Sequence, residues 1–140
     1  MQKLLLDRLR AQEDEWAQCV IQRERNTTTV HNRERGLKYL KDQIFPILEE
    51  SNGLADDCAA VIRAHAERNP EHIDRTLALV GRAGPLYPFF RTSALLRNLD
   101  GNTAHVPVVL LYPGRREGAT ALSFMGELAP DSDYRPRIYP

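Results

Sequence analysis

The residues best suited to chemistry stand at the ends of two apolar runs. Gly81-Arg82-Ala83-Gly84-Pro85 follows Thr76-Leu77-Ala78-Leu79-Val80, and Pro113-Gly114-Arg115-Arg116-Glu117-Gly118 follows Val106-Pro107-Val108-Val109-Leu110-Leu111-Tyr112. If the runs are parallel strands, both loops lie beyond strand carboxyl ends, where open α/β sheets bind ligands. Glycine lets a backbone approach a ligand closely, and the arginine fork grips phosphate or carboxylate. Gly81, Arg82, Gly84, Tyr112, Gly114, Arg115 and Arg116 are therefore the candidate binding residues of these loops, and an anionic ligand or nucleotide is the small molecule they suggest. Neither loop is a P-loop, since the Gly-Lys-Ser/Thr ending is absent, and neither holds GxGxxG. The competing reading is that the glycines make tight turns and the arginines are solvated.

Other constellations are weaker, and no catalytic residue is expected. Ser93 and Ser123 lack a GxSxG context. Asp56 and Asp57 are adjacent, so their side chains leave a helix in different directions and make a poor acid–base pair. Cys19 and Cys58 form no CxxC pair and fall in apolar helical patterns, which predicts two buried thiols. His31, His65, His72 and His105 are scattered without HExxH spacing. Neither a metal nor a cofactor is expected. Tyr87, Tyr112, Tyr134 and Tyr139 offer stacking surfaces for bases, but a place at the core boundary explains them more simply.

The elements that must position these loops can be read from periodicity. Leu5, Leu9, Trp16, Cys19 and Val20 share a helical face over residues 4–24, with the polar run Asn26 to Thr29 as its end. A second helix is predicted from about His31 to Glu50, kinked or stopped at Pro46, and a third from Leu54 to Arg68. A strand at Thr76–Val80, a helix over Leu86–Leu99, the strand Val106–Tyr112, a short helix over Ala119–Leu128 and a last strand at Tyr134–Tyr139 follow. Val106–Tyr112 is nearly all apolar, as expected of a parallel strand covered on both faces. The fold class is thus α/β: N-terminal helices, then a small parallel three-stranded βαβαβ (Rossmann-like) sheet. A chain of 140 residues suits a single domain, 1–140, with a helical part over 1–70 and the βαβαβ part over 71–140.

Nineteen basic residues balance nineteen acidic ones. That neutrality disfavours wholesale binding to nucleic acid, including through Arg82, Arg91, Arg97, Arg115 and Arg116, and leaves room only for a local basic patch. No apolar run approaches the roughly 20 residues of a spanning helix, so a cytoplasmic protein without membrane contact is expected.

Two stretches resemble the BrxB family of BREX phage-defence systems. The first, Leu79 to Leu99, carries Tyr87-Pro88-Phe89-Phe90-Arg91 and Leu95-Leu96-Arg97-Asn98-Leu99. The second, Val106 to Ile138, carries the Val106–Gly114 run, then Gly118, Leu122 and Phe124, and closes with Asp133-Tyr134-Arg135-Pro136-Arg137-Ile138. The resemblance covers the C-terminal half, so the chain reads as an N-terminally shortened relative. It implies a component of bacterial phage exclusion, in systems that tell self from phage DNA by methylation and block phage replication. It also implies a non-enzymatic protein–protein adaptor contacting the alkaline-phosphatase-like PglZ protein or other BREX proteins. Tyr87, Arg91, Tyr112, Gly114, Tyr134 and Arg135 are then determinants of fold or interface.

A sheet of three strands leaves open edges. The helices meanwhile carry Leu5, Leu9, Trp16, Leu37, Leu40 and Ile44. A homodimer through the N-terminal helices is therefore expected, twofold pairing being the commonest closed assembly.

Overall fold

Two charged pairs decide where the first helix stops. Arg8 and Arg10 lie in the last turn of α1 (Gln2–Arg10), and Asp14 and Glu15 in the first turn of α2 (Asp14–Val30). Each pair suits the dipole of the helix end it occupies, so the chain breaks between them and Glu13 takes an extended conformation. The helix expected over residues 4–24 is therefore two helices. The run Asn26 to Thr29 does not end α2. Thr27 and Thr29 donate to the carbonyls of Arg23 and Arg25 at 2.8 Å each, one turn back, so their hydroxyls are satisfied inside the helix.

The computed structural model describes residues 1–49, 53–117, 121–125 and 137–139. In it α3 (Arg33–Glu49) runs through Pro46 without stopping. Ile44 and Leu48 flank the proline and are 7% and 1% exposed. Burying two such side chains is worth about 1.5–3 kcal/mol each, enough to offset the roughly 3 kcal/mol cost of an interior proline. α4 (Leu54–Arg68) follows as expected and supplies the centre of the core. Its buried side is largely small, with Ala55, Cys58, Ala59 and Ala66 beside Leu54 and Ile62, and α1, α3 and α5 (Thr92–Leu99) all pack on it.

The segment expected as a helix over Leu86–Leu99 divides. A 3-10 turn at Gly84–Leu86 leads to Tyr87 in extended conformation before Pro88, and only Thr92–Leu99 is α-helical. The residue before a proline avoids helical dihedrals, which delays the helix; the Tyr87–Pro88 peptide is cis.

β1 (Ala78–Val80) and β2 (Val108–Leu110) pair in parallel, with Leu79 opposite Val109. The two loops expected at one end of a parallel sheet do lie at one end. The third parallel strand is not found among the described residues. Arg137 to Tyr139 are not in a strand, and the rest of the predicted Tyr134–Tyr139 strand lies outside the described residues. In place of the loop and short helix expected over Pro113–Leu128, β3 (Gly114–Glu117) and β4 (Ala121–Phe124) form an antiparallel hairpin. Leu122 and Phe124, both buried, are two residues apart; that spacing puts them on one face of a strand but on nearly opposite sides of a helix. The described strands therefore form two two-stranded sheets, not one Rossmann-like sheet of three.

The core cluster joins Leu5 of α1, Ile44 and Leu48 of α3, the α4 residues, Val80, Leu86, Phe90, Leu95, Leu99 and Val106. The first helix is held across it by polar ties. The Met1 amine donates to the Gly81 carbonyl at 3.0 Å, and Arg8 forks onto both oxygens of Asp57 at 2.7 and 2.8 Å.

Candidate functional site

At the strand ends the structure brings the expected residues together and fills the space between them with rings. Gly84 approaches Pro113 and the Met125 sulfur. The Tyr87 ring lies 6.0 Å from that of Phe124, and Tyr112 meets the same ring edge-on at 5.6 Å. Such contacts stabilise by about 0.5–1.5 kcal/mol beyond the area they bury. Phe124, which the sequence reading placed on a helix, is the piece that locks both loops. Gly114 is a packing glycine too: a Cβ there would overlap the Ser123 carbonyl and the Tyr112 ring.

The arginines do not converge. Arg82 has a left-handed backbone, φ 54°, and an exposed side chain. Arg91 is exposed at the residue preceding α5. Arg115 and Arg116 are successive residues of β3, so they point to opposite faces of the hairpin. Gly81 uses its carbonyl to receive the chain's own N-terminus. Among the described residues no three His, Cys, Asp or Glu side chains gather as metal ligands, and no helix is long and apolar enough to cross a membrane.

The cysteines differ from expectation. Cys58 is buried in the core, but Cys19 is exposed on α2, and both are free thiols. Its position on α2 next to the buried Val20 puts Cys19 on the rim of the apolar face, a distinction that periodicity alone did not make. Burial pushes the Cys58 thiol up, Asp57 adds to this, and the N-terminal ammonium partly opposes both. A thiol held protonated is a poor nucleophile. One equivalent of thiol is therefore expected to react with a disulfide reagent in the native protein, and the second only on unfolding. Two equivalents reacting at equal rates would contradict this packing.

A surface that sequence reasoning missed lies on the parallel pair. Ala78, Val80, Val108 and Leu110 face the helices. Leu77, Leu79, Val109 and Leu111 face the other way and are 58%, 62%, 40% and 54% exposed. The expectation that both faces would be covered fails on this side. The alternation was hidden because both sets of side chains are apolar. Leu77 and Leu79 also line a groove of about 350 Å³ with Met1, Leu4 of α1, and Val61, Ile62 and His65 of α4.

The helical residues expected to drive self-association divide in three. Leu5 and Ile44 are buried in the chain's own core, and Leu9, Trp16 and Leu40 are half-buried. Leu37, also among those expected, is exposed, and the other large apolar side chains that α1, α2 and α3 leave exposed are Leu6, Ile21, Val30 and Phe45.

A family model described as BREX protein BrxB matches residues 1–138. Nothing matches among curated proteins or solved structures. The family match takes in the four N-terminal helices as well as the strands, so the likeness is not confined to the C-terminal half as the motifs alone implied. With the Tyr87–Arg91 and Val106–Gly114 segments packed together around Phe124, and the match running over nearly every residue, the chain belongs to the BrxB family of BREX phage-defence proteins.

Proposed function

We propose that the chain serves BREX defence as a non-enzymatic adaptor that binds another protein of the system, a PglZ-like protein being the partner the family resemblance implies. The observation that carries this reading is the bare apolar face of Leu77, Leu79, Val109 and Leu111, continuous with the groove beside α4. Contiguous exposed apolar side chains of this kind mark partner surfaces. Among the described residues no further strand pairs with β1 or β2, so their outer edges are open there to a partner strand. The experiment is affinity capture from a host carrying the complete system, probed for PglZ-like and other BREX proteins. Their co-purification supports the reading; recovery of proteins from outside the system alone ends it.

Self-association belongs to the same reading. A homodimer through the N-terminal helices would use the exposed Ile21, Leu37 and Phe45 rather than the buried Leu5 and Ile44. Light scattering at micromolar concentration is expected to give twice the mass of 16.0 kDa, reduced to one copy by Ile21→Glu with Phe45→Glu. A single-copy mass that persists on concentration removes the dimer.

A further inference from the structure

α2 and α3 form an antiparallel hairpin of 17 residues a side, about 25 Å long. Its base is anchored in the core and its tip is not. Ile44 and Leu48 enter the core at the base, and no member of the buried core cluster falls between Leu5 and Ile44. Toward the tip the two helices rest on each other. Gly36 is buried there, and a Cβ on it would overlap the Thr28 hydroxyl. That hydroxyl donates to Glu24 Oε1 at 2.8 Å, which holds this carboxylate half-buried beside Gly36.

Charge is sorted along the hairpin. Between residues 23 and 41 lie six cations (Arg23, Arg25, Arg33, Arg35, Lys38 and Lys41) and two carboxylates (Glu24 and Glu34), a surplus of four that the rest of this neutral chain balances. All six cations are exposed. Arg33 and Arg35 sit in the first turn of α3, where the helix dipole disfavours a cation. The last turn of α2, where a cation would stabilise, holds none. Charges set against their own helix point to a use outside the fold.

We infer that the tip of this hairpin binds the phosphate backbone of a nucleic acid duplex. Arg23 and Arg25, like Arg33 and Arg35, are two residues apart and so about 200° apart around their helix. Cations on several sides of a narrow tip fit the phosphate rows flanking a groove better than one flat acidic patch on a protein. Phosphate contacts carry no sequence information, so binding is expected to be indifferent to sequence. The inference goes beyond the adaptor reading and uses none of the apolar face of β1 and β2 on which that reading rests.

The test is fluorescence anisotropy of labelled duplex DNA and duplex RNA with the full chain. Binding is expected at about 50 mM salt, weakening with a log–log slope of about −3, as three or four neutralised phosphates dictate. Arg33→Glu with Arg35→Glu cancels the surplus and is expected to weaken binding at least about tenfold. Glutamate suits the first turn of a helix, so helicity by circular dichroism should hold or rise, which separates lost binding from lost fold. Arg68→Glu with Arg75→Glu, away from the hairpin, should change binding little. Binding of either duplex in this pattern supports the inference, and preference for one assigns it. Absence of binding at low salt, equal loss from the Arg68 and Arg75 pair, or tighter binding of polyglutamate than of either duplex would overturn it.

Discussion

Leu79→Asp together with Leu111→Asp is expected to abolish capture of the BREX partner while leaving the fold in place. The two side chains stand on one face of the parallel pair, 62% and 54% exposed, so the folded chain gains little from them. Surface substitutions of this kind usually stay within about 0.5 kcal/mol of wild type, and the lower strand preference of aspartate adds at most about 1 kcal/mol per site. Binding is affected far more. Each leucine at the centre of an apolar interface is worth about 2 kcal/mol on truncation, and a carboxylate in its place must also be desolvated without a partner. The pair together therefore costs about 4 kcal/mol, close to a thousandfold in Kd. Calorimetry with the captured partner and the purified full chain reads this directly. Val80→Asp is the contrasting case: Val80 is one residue along and 7% exposed on the covered face, so this single change should unfold the protein. If the Leu79 and Leu111 variant binds as wild type does, the adaptor surface is elsewhere.

How much of this could be read from the sequence follows from what each signal encodes. α4 was legible to the residue because an apolar stripe, a glycine before it and Asn69-Pro70 after it all agree. The parallel pair was legible because Ala78–Val80 and Val108–Leu110 are apolar runs bounded by Gly and Pro. The break between α1 and α2 was written in charges, Arg8 and Arg10 against Asp14 and Glu15, while attention to apolar spacing alone runs across it. The β3–β4 hairpin was missed because Leu122, Phe124 and Met125 satisfy a short helical pattern nearly as well as a strand, and ten residues are too few for periodicity to decide. At the candidate site the meeting of the two loops followed from parallel pairing. Phe124, which fills the space between Tyr87 and Tyr112, did not follow, because its place depends on the hairpin. Nor did the exposure of Leu79 and Leu111: a strand apolar on both faces does not say which face its own chain will cover.

The largest effect on stability from a polar side chain is expected at Asp57. The Arg8 side chain is 17% exposed, and its Nε and Nη2 meet the two oxygens of Asp57 while Nη1 donates to the Ile47 carbonyl at 3.2 Å. One residue thus ties α1 to α4 and to the end of α3, and with Leu5 and the Met1 amine it keeps α1 on the core. Asp57→Ala leaves the guanidinium where it is and takes away the carboxylate that its Nε and Nη2 meet. Breaking a fully buried pair from one side costs about 3–5 kcal/mol. The Asp57 side is 37% exposed, so water screens part of the loss and the expected cost is about 2 kcal/mol. For a chain of this size that lowers Tm by about 5–10 °C. Arg8→Met should cost less than Asp57→Ala, since the aliphatic stem is kept and the remaining carboxylate reaches water. The double variant should be no worse than Asp57→Ala alone, because with the cation gone the missing carboxylate no longer matters. Thermal unfolding of the four proteins closes this cycle. Additive losses would mean that Arg8 and Asp57 contribute nothing as a pair.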